Sequence, residues 1–294
     1  MASQTEHHPT STTPKSDEWL GETYQNDIQY LYRITNTLHH SQSQFQDIKV
    51  VESSRFGRML LLDDCMMTTE KDEFVYHEMI THPALIAHPN PKSVLIIGGG
   101  DGGTVREVLR HPSVEHVVLA EIDGDVIEVC KQYLPSIACQ LNHPKVTLEV
   151  GDGFAYIKNP PQRFDIILVD STDPVGPGAI LFSTEFYQAV FDSLEPDGIM
   201  VNQTESPFAE SSELAPIFEK LQAVFPIVKP YTGSIPTYPF GYWSWTFCSK
   251  QYHPLQNLRT EAQKELSQHT QYYNQAIHQA AFALPNFYQK KLRG

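Results

Sequence analysis

The chain has 294 residues, room for one large domain or one domain with a smaller appendage. Apolar residues make up 40 % of it, ample for a packed core, and no unbroken apolar run reaches the ~18 residues a membrane span needs. The net charge of −14 argues against a basic nucleic-acid-binding face and favours cationic over anionic ligands, although it is first of all the mark of an ordinary soluble protein.

The first sixteen residues, "MASQTEHHPTSTTPKS", are polar, lack a hydrophobic signal region and read as a disordered tail. Cys65, Cys130, Cys139 and Cys248 are scattered without metal-ligand spacing. Reduced thiols in a cytoplasmic protein are the expectation, and the "NQT" sequon at Asn202 then carries no weight.

Residues 28 to 69 read as β-structure. "DIQYLYRI", "FQDIKVVES" and "GRMLLLDDCMMTT" mix β-branched, aromatic and apolar residues, with "SSRFG" as a turn. With no crossover helices, this is a small antiparallel unit. "EKDEFVYHEMITHPALIAH" then reads as a helix with acidic residues at its start, broken or sharpened at Pro83. From Pro91 onward strand and helix alternate. The strands are "SVLIIGGG", "HVVLAEID", "KVTLEVGDG", "FDIILVDST" and "GIMVNQTES", each followed by a helical segment. Continuous apolar strands imply a sheet covered on both faces, and the alternation implies a doubly wound, Rossmann-like α/β sheet. "IVKPYTGSIP" and "YWSWTFCSK" read as a hairpin closing one edge, and residues 255–294 as a polar helical extension. The expected organisation is a tail over 1–16, a β domain over 17–72, the α/β domain over 73–254 and the extension.

In open α/β sheets the ligand lies beyond the carboxyl ends of the strands. Here every strand delivers acid to that rim: Asp101 after Gly98, Gly99 and Gly100; Glu121 and Asp123; Asp152; Asp170 and Asp173; Glu205. One such residue is often only a helix cap, a poor account of five strands in a row. Glu121, 23 positions after Gly98, can accept hydrogen bonds from both hydroxyls of a ribose, and the glycines let backbone approach a nucleoside closely. Asp152, beside Gly153, can accept an adenine amine. A diphosphate would face Asp101, which disfavours a dinucleotide-dependent hydride transfer. A nucleoside carrying a sulfonium fits better.

"DSTDP" places Asp170 and Asp173 three apart at a strand exit, where a carboxylate can take a proton from an amine; a capped turn is the plainer reading. "VGPGAILF" after it suits a covering loop. "YHEMITH" resembles a zinc helix motif, but His77 and His82 are five apart and their rings diverge on a helix, so no metal is expected. Tyr76 and His77 are instead expected as polar groups at a pocket edge.

Taken together, "QDI" from Gln46, "TTEKDEFVYHEM" from Thr68, "VLIIGGGDGG", "EID", "GDGF", "DSTDPVGP" and "IPTYP" resemble the polyamine aminopropyltransferases, in order over residues 19 to 250. The resemblance implies a methyltransferase-like domain behind an oligomerising N-terminal β domain, as a homodimer or homotetramer. It implies transfer of an aminopropyl group from decarboxylated S-adenosylmethionine, a co-substrate, to putrescine, with spermidine and methylthioadenosine as products and no cofactor. By its pattern Gln46, Gly98, Gly100, Glu121, Asp152, Gly153 and Pro177 meet the nucleoside. His77, Asp101, Asp170, Asp173 and Tyr238 meet the polyamine. Asp170 is the proton acceptor and Tyr76 its catalytic partner. Many members carry Gln where this chain has Met67, which leaves one polar donor contact open but not the reaction class. Other acceptors, as in spermine or thermospermine synthases, remain alternatives, as does a putrescine N-methyltransferase. Asp101 speaks against the last, since it would repel the carboxylate that the intact methyl donor keeps.

Overall fold

The computed structural model describes residues 18–24, 26–172, 176–209 and 214–293, with only the backbone of 176 and 177. Asp173 and the expected tail over 1–16 therefore lie outside the described residues, as does the side chain of Pro177.

The chain opens with a two-stranded antiparallel ribbon, β1 (Glu18–Tyr24) and β2 (Ile28–Ile34). β-structure thus begins at Glu18, earlier than the sequence pattern gave. The cause is a mixed β1 that buries only Glu22 and leaves Trp19 in solvent. A four-stranded antiparallel sheet follows: β3 (Asn36–Gln42), β4 (Asp47–Ser53), β5 (Gly57–Leu62) and β6 (Cys65–Thr69). The "SSRFG" turn joins β4 to β5, with Gly57 in the left-handed region at φ 72°. Ile34, Val51, Met59, Leu61 and Met66 form a small core of their own between ribbon and sheet.

Helix α1 (Glu73–Ala87) then leads into the main sheet. It contains Pro83 and nevertheless runs on without the expected break. Proline at that position leaves the Met79 carbonyl without its helical N–H partner. The Tyr231 hydroxyl donates to that carbonyl at 2.7 Å, which restores the lost bond from another element.

The rest alternates as the sequence implies: β7 (Ser93–Gly98), α2 (Gly103–Val108), β8 (His116–Glu121), α3 (Gly124–Tyr133), β9 (Val146–Val150), α4 (Gly153–Lys158), β10 (Phe164–Asp170), α5 (Thr184–Ser193), β11 (Leu194–Gln203), α6 (Leu214–Val224), β12 (Ile227–Gly233) and β13 (Trp243–Ser249). Three short helices close the chain: α7 (Thr260–Leu266), α8 (Gln275–Ala281) and α9 (Asn286–Lys291). The sheet order is β12-β13-β11-β10-β7-β8-β9, parallel except for β13, which is antiparallel to both its neighbours. The last two strands do form an antiparallel pair, but β13 inserts beside β11 and leaves β12 as the edge.

Successive residues of the parallel strands face opposite layers. Val94, Ile96, Val117, Leu119, Ile166 and Leu168 pack with α1, α2 and α3 on one face. Leu95, Ile97, Val118, Ile167 and Val169 pack with α4, α5 and α6 on the other. Both faces are covered, which is why the strands read as unbroken apolar runs. The reversal between β7→β8 and β7→β10 puts a crevice at their carboxyl ends, between Gly98 and Asp170, which are register partners. Among the described residues no helix is long and apolar enough to cross a membrane.

Candidate active site

The crevice floor is the loop from β7 into α2. Gly98 and Gly99 both sit at positive φ, 81° and 74°, which an L side chain rarely adopts. Space forbids a side chain as well: a Cβ on Gly98 would lie 2.2 Å from the Asp170 carbonyl oxygen, and one on Gly99 2.6 Å from Asp170 Oδ2. The glycines thus let the β10 carboxylate close over the β7 turn.

Asp170 ends β10, only partly covered, with both carboxylate oxygens engaged. The Tyr76 hydroxyl donates to Oδ1 at 2.7 Å and the Thr104 hydroxyl to Oδ2 at 2.6 Å. Burial and the nearby Asp101 charge raise the Asp170 carboxyl above the usual carboxylate range, against the opposing pull of His77 and the two hydroxyls. Desolvation and the Asp170 charge push the Tyr76 phenol well above its ordinary value, so it stays a donor.

Asp101 turns back on its own loop. Its Oδ1 accepts from the Gly103 amide at 2.8 Å, and its Oδ2 lies 3.3 Å from His77 Nε2. The other ring nitrogen of His77 meets Glu73 Oε2 at 2.5 Å. Burial opposes a charge on this ring, yet the carboxylates on either side hold His77 well above its usual value. Glu73 is gripped in turn by both terminal nitrogens of Arg106, at 3.0 and 2.8 Å. A buried chain of alternating charge therefore runs Arg106–Glu73–His77–Asp101 and ties α1 to α2. His77 is 2 % exposed with both nitrogens used, so the structure makes it a support for Asp101 rather than the pocket-edge group that the sequence implied.

Glu121 ends β8. Its two oxygens accept the Gly100 and Asp123 amides at 3.1 and 2.9 Å. Burial outweighs those bonds and, with the Asp123 and Asp170 charges, pushes its carboxyl up to about 7. Gln46 reaches this region from the N-terminal unit, but its amide donates to Asp123 Oδ2 at 2.8 Å, an oxygen that also accepts from Ser43. It meets the crevice through Asp123. Asp152 caps α4, with Oδ1 accepting from the Phe154 and Ala155 amides. A Cβ on Gly153 would lie 2.5 Å from Ile97. Tyr238 stands against Tyr76, ring centroids 5.7 Å apart, with its hydroxyl on the Met67 carbonyl at 2.6 Å. Met67 itself is partly buried and packs against the main core.

His82 faces away from His77, as the five-residue spacing requires. It lies against Glu107 and His111, at 3.2 and 3.1 Å, and shares no ligand with His77. Sequence reasoning missed Thr104, Glu73 and Arg106. The pattern "GGTVREV" offers two of them only as ordinary helix residues.

The site is thus a crevice of glycine-backed carboxylates, one of which, Asp170, accepts two hydroxyls. The family model described as the spermine/spermidine synthase domain matches residues 73–260, and the spermidine synthase tetramerisation domain matches residues 18–70. The chain belongs to the spermine/spermidine synthase family. The polyamine aminopropyltransferase of Shouchella clausii is 47 % identical over 275 residues, 94 % of this chain and 99 % of that one. Polyamine aminopropyltransferase 1 of Bacillus cereus is 49 % identical over 269 residues, covering 92 % and 97 %. A crystal structure of spermidine synthase in complex with the transition-state analogue AdoDATO superposes with TM-score 0.92 at 42 % identity, over 95 % of this chain and 96 % of that one. The spermidine synthase of Thermotoga maritima gives TM-score 0.91, also at 42 % identity and over the same shares. This chain is therefore an enzyme with the spermidine synthase fold.

Proposed function

We propose that the chain is a spermidine synthase, moving the aminopropyl group of decarboxylated S-adenosylmethionine onto putrescine. The observation that carries this reading is the Asp170 carboxylate, held by Tyr76 and raised in basicity beside the fixed charge of Asp101. The analogue complex of the 42 % identical spermidine synthase supports the choice of donor.

The sulfonium makes the adjoining propyl carbon electrophilic. An amine nitrogen attacks it, the N–C bond forms as the C–S bond breaks, and methylthioadenosine leaves as a neutral thioether. The acceptor amine, with an ordinary pKa near ~10.4, must lose a proton to present a lone pair. Asp170 receives it, and the Tyr76 hydroxyl keeps the carboxylate in place. Alignment for in-line attack supplies the larger part of the acceleration. Asp101 faces the donor's ammonium, with His77 behind it. Glu121 accepts the ribose hydroxyls, while Asp152, Gly153, Gly98 and Gly100 frame the nucleoside. Asp173 and Pro177 take part by family pattern, and Glu205, buried beyond β11, anchors the distal ammonium.

Homo-oligomerisation fits the tetramerisation-domain match over 18–70 and the ribbon face that leaves Trp19 and Leu31 more than half exposed, at 58 % and 56 %. The cysteines are few and scattered along the chain without metal-ligand spacing, which supports a reducing, cytoplasmic setting.

Asp170→Asn should lower turnover by roughly 10²-fold or more while methylthioadenosine still binds, as read by single-turnover kinetics and calorimetry. Turnover close to wild type would remove Asp170 from its role. Product analysis with decarboxylated and intact donors against putrescine, cadaverine and spermidine decides the acceptor. Methyl transfer without aminopropyl transfer would overturn the reading.

A further inference from the structure

Thr104 is fully buried in the first turn of α2, and its hydroxyl spends its single proton on Asp170 Oδ2 at 2.6 Å. An ionised carboxylate only accepts, so the Tyr76 and Thr104 hydroxyls both donate to it, one to each oxygen. Tyr76 comes from α1 and Thr104 from α2, and the Arg106–Glu73 ion pair bolts those two helices together. On the Oδ2 side Gly99 itself contributes no side chain to steer the group. With Tyr76 alone, the carboxylate would keep rotational freedom about its Cβ–Cγ bond. With both hydroxyls its plane is fixed, and the remaining lone pairs point in set directions.

We propose that Thr104 is a positioning residue for the proton transfer: it fixes the plane of the Asp170 carboxylate and keeps that group ionised for the incoming amine. The proposal rests on Asp170 being the proton acceptor. It also accounts for what opposes protonation of a partly buried carboxylate beside the Asp101 charge. Each donated hydrogen bond favours the charged form and opposes the burial that disfavours it. When the amine proton arrives on one oxygen, the hydroxyl bonded there still finds a lone pair on it, so the clamp persists through the step.

Thr104→Val keeps the shape and removes the donor. We expect kcat to fall about tenfold with KM for both substrates within about twofold, and the acid limb of kcat at saturating donor to move up by about one pH unit, since a lost donor makes Asp170 easier to protonate. Thr104→Ser should restore both. A purely structural role would lower the melting temperature or the fraction of sites binding methylthioadenosine, and would leave the acid limb unmoved. An acid limb identical to wild type in Thr104→Val overturns the proposal. If that variant does not fold, the same limb is read in Thr104→Ala and judged alike. Asp170→Asn run in parallel separates the two ideas. If it retains turnover, the Asp170 reading fails. If it is inactive while Thr104→Val keeps the wild-type limb, only the role of Thr104 fails.

Discussion

The two ends of the central sheet both gather carboxylates, and they treat them differently. At the carboxyl end, Asp101 and Asp170 are held largely by side chains: the His77 ring and the Tyr76 and Thr104 hydroxyls. At the opposite end, Asp165 and Asp197 stand near His88, with His88 Nε2 4.0 and 3.7 Å from their oxygens. There Asp165 Oδ2 accepts the Lys92 and Ser93 amides and the Ser93 hydroxyl, and Asp197 accepts the Tyr252 hydroxyl. His88 Nδ1 accepts the Asn90 amide, so a neutral ring carries its proton on Nε2, which stands beyond hydrogen-bond distance of both acids. At the strand starts Asp165 and Asp197 fasten the backbone and neighbouring side chains where the chain enters the sheet. At the glycine-floored crevice Asp101, Glu121 and Asp170 converge from three strand exits, whether amides or side chains hold them. The number of carboxylates does not separate the two ends; their convergence at the strand exits does.

The largest effect that would sharpen this contrast is at Asp101. Asp101→Ile should cut kcat/KM for the decarboxylated donor by roughly 10²-fold, since a charge pair to the ammonium is lost and His77 Nε2 loses its partner while Nδ1 keeps Glu73. An unchanged rate and donor preference would show that Asp101 does not face the donor. Next comes Glu121, whose carboxyl is pushed up to about 7 by burial. The ribose hydroxyls need its ionised form, so methylthioadenosine affinity should be full above that pH and weaken as pH falls through it. The expected loss is about tenfold per unit below it. Calorimetry between pH 5.5 and 8.5 reads this, and Glu121→Gln should flatten the profile. The smallest effect belongs to the other end. Asp165→Ala strands the Lys92 and Ser93 amides and should cost about 1–2 kcal/mol in denaturant unfolding, with kcat and both KM values unchanged. A selective loss of kcat there would erase the distinction between the two ends.

Much of this was legible in the sequence, for definable reasons. Continuous apolar strands and their acidic exits gave the doubly wound sheet and the rim where Asp101, Glu121 and Asp170 converge. That logic needs only strand period and the rule that ligands sit beyond carboxyl ends. Long-range pairing was beyond it. Nothing local says that β13 enters between β11 and β12, or that Tyr231 mends the backbone at Pro83. Gln46 and His77 were visible as polar residues in motifs, but only the folded chain shows that their side chains meet Asp123 and Asp101. Thr104 was invisible for a related reason. A threonine inside a helix looks like a weak helix former until its hydroxyl is seen to meet a residue 66 positions away.

The Tyr231 hydroxyl on the Met79 carbonyl ties the edge strand to the helix that carries Tyr76 and His77. The ring of Tyr231 also stacks on Trp245, and Trp245 in turn faces Tyr76. An excursion in which β12 peels away therefore cannot be a local event at the margin of the sheet. It strands a carbonyl in mid-helix and withdraws the aromatic wall behind Tyr76. The outermost strand and the helix that carries Tyr76 thus form one cooperative unit, and the enzyme's resistance to fraying at its edge and its ability to keep an organised crevice are the same property.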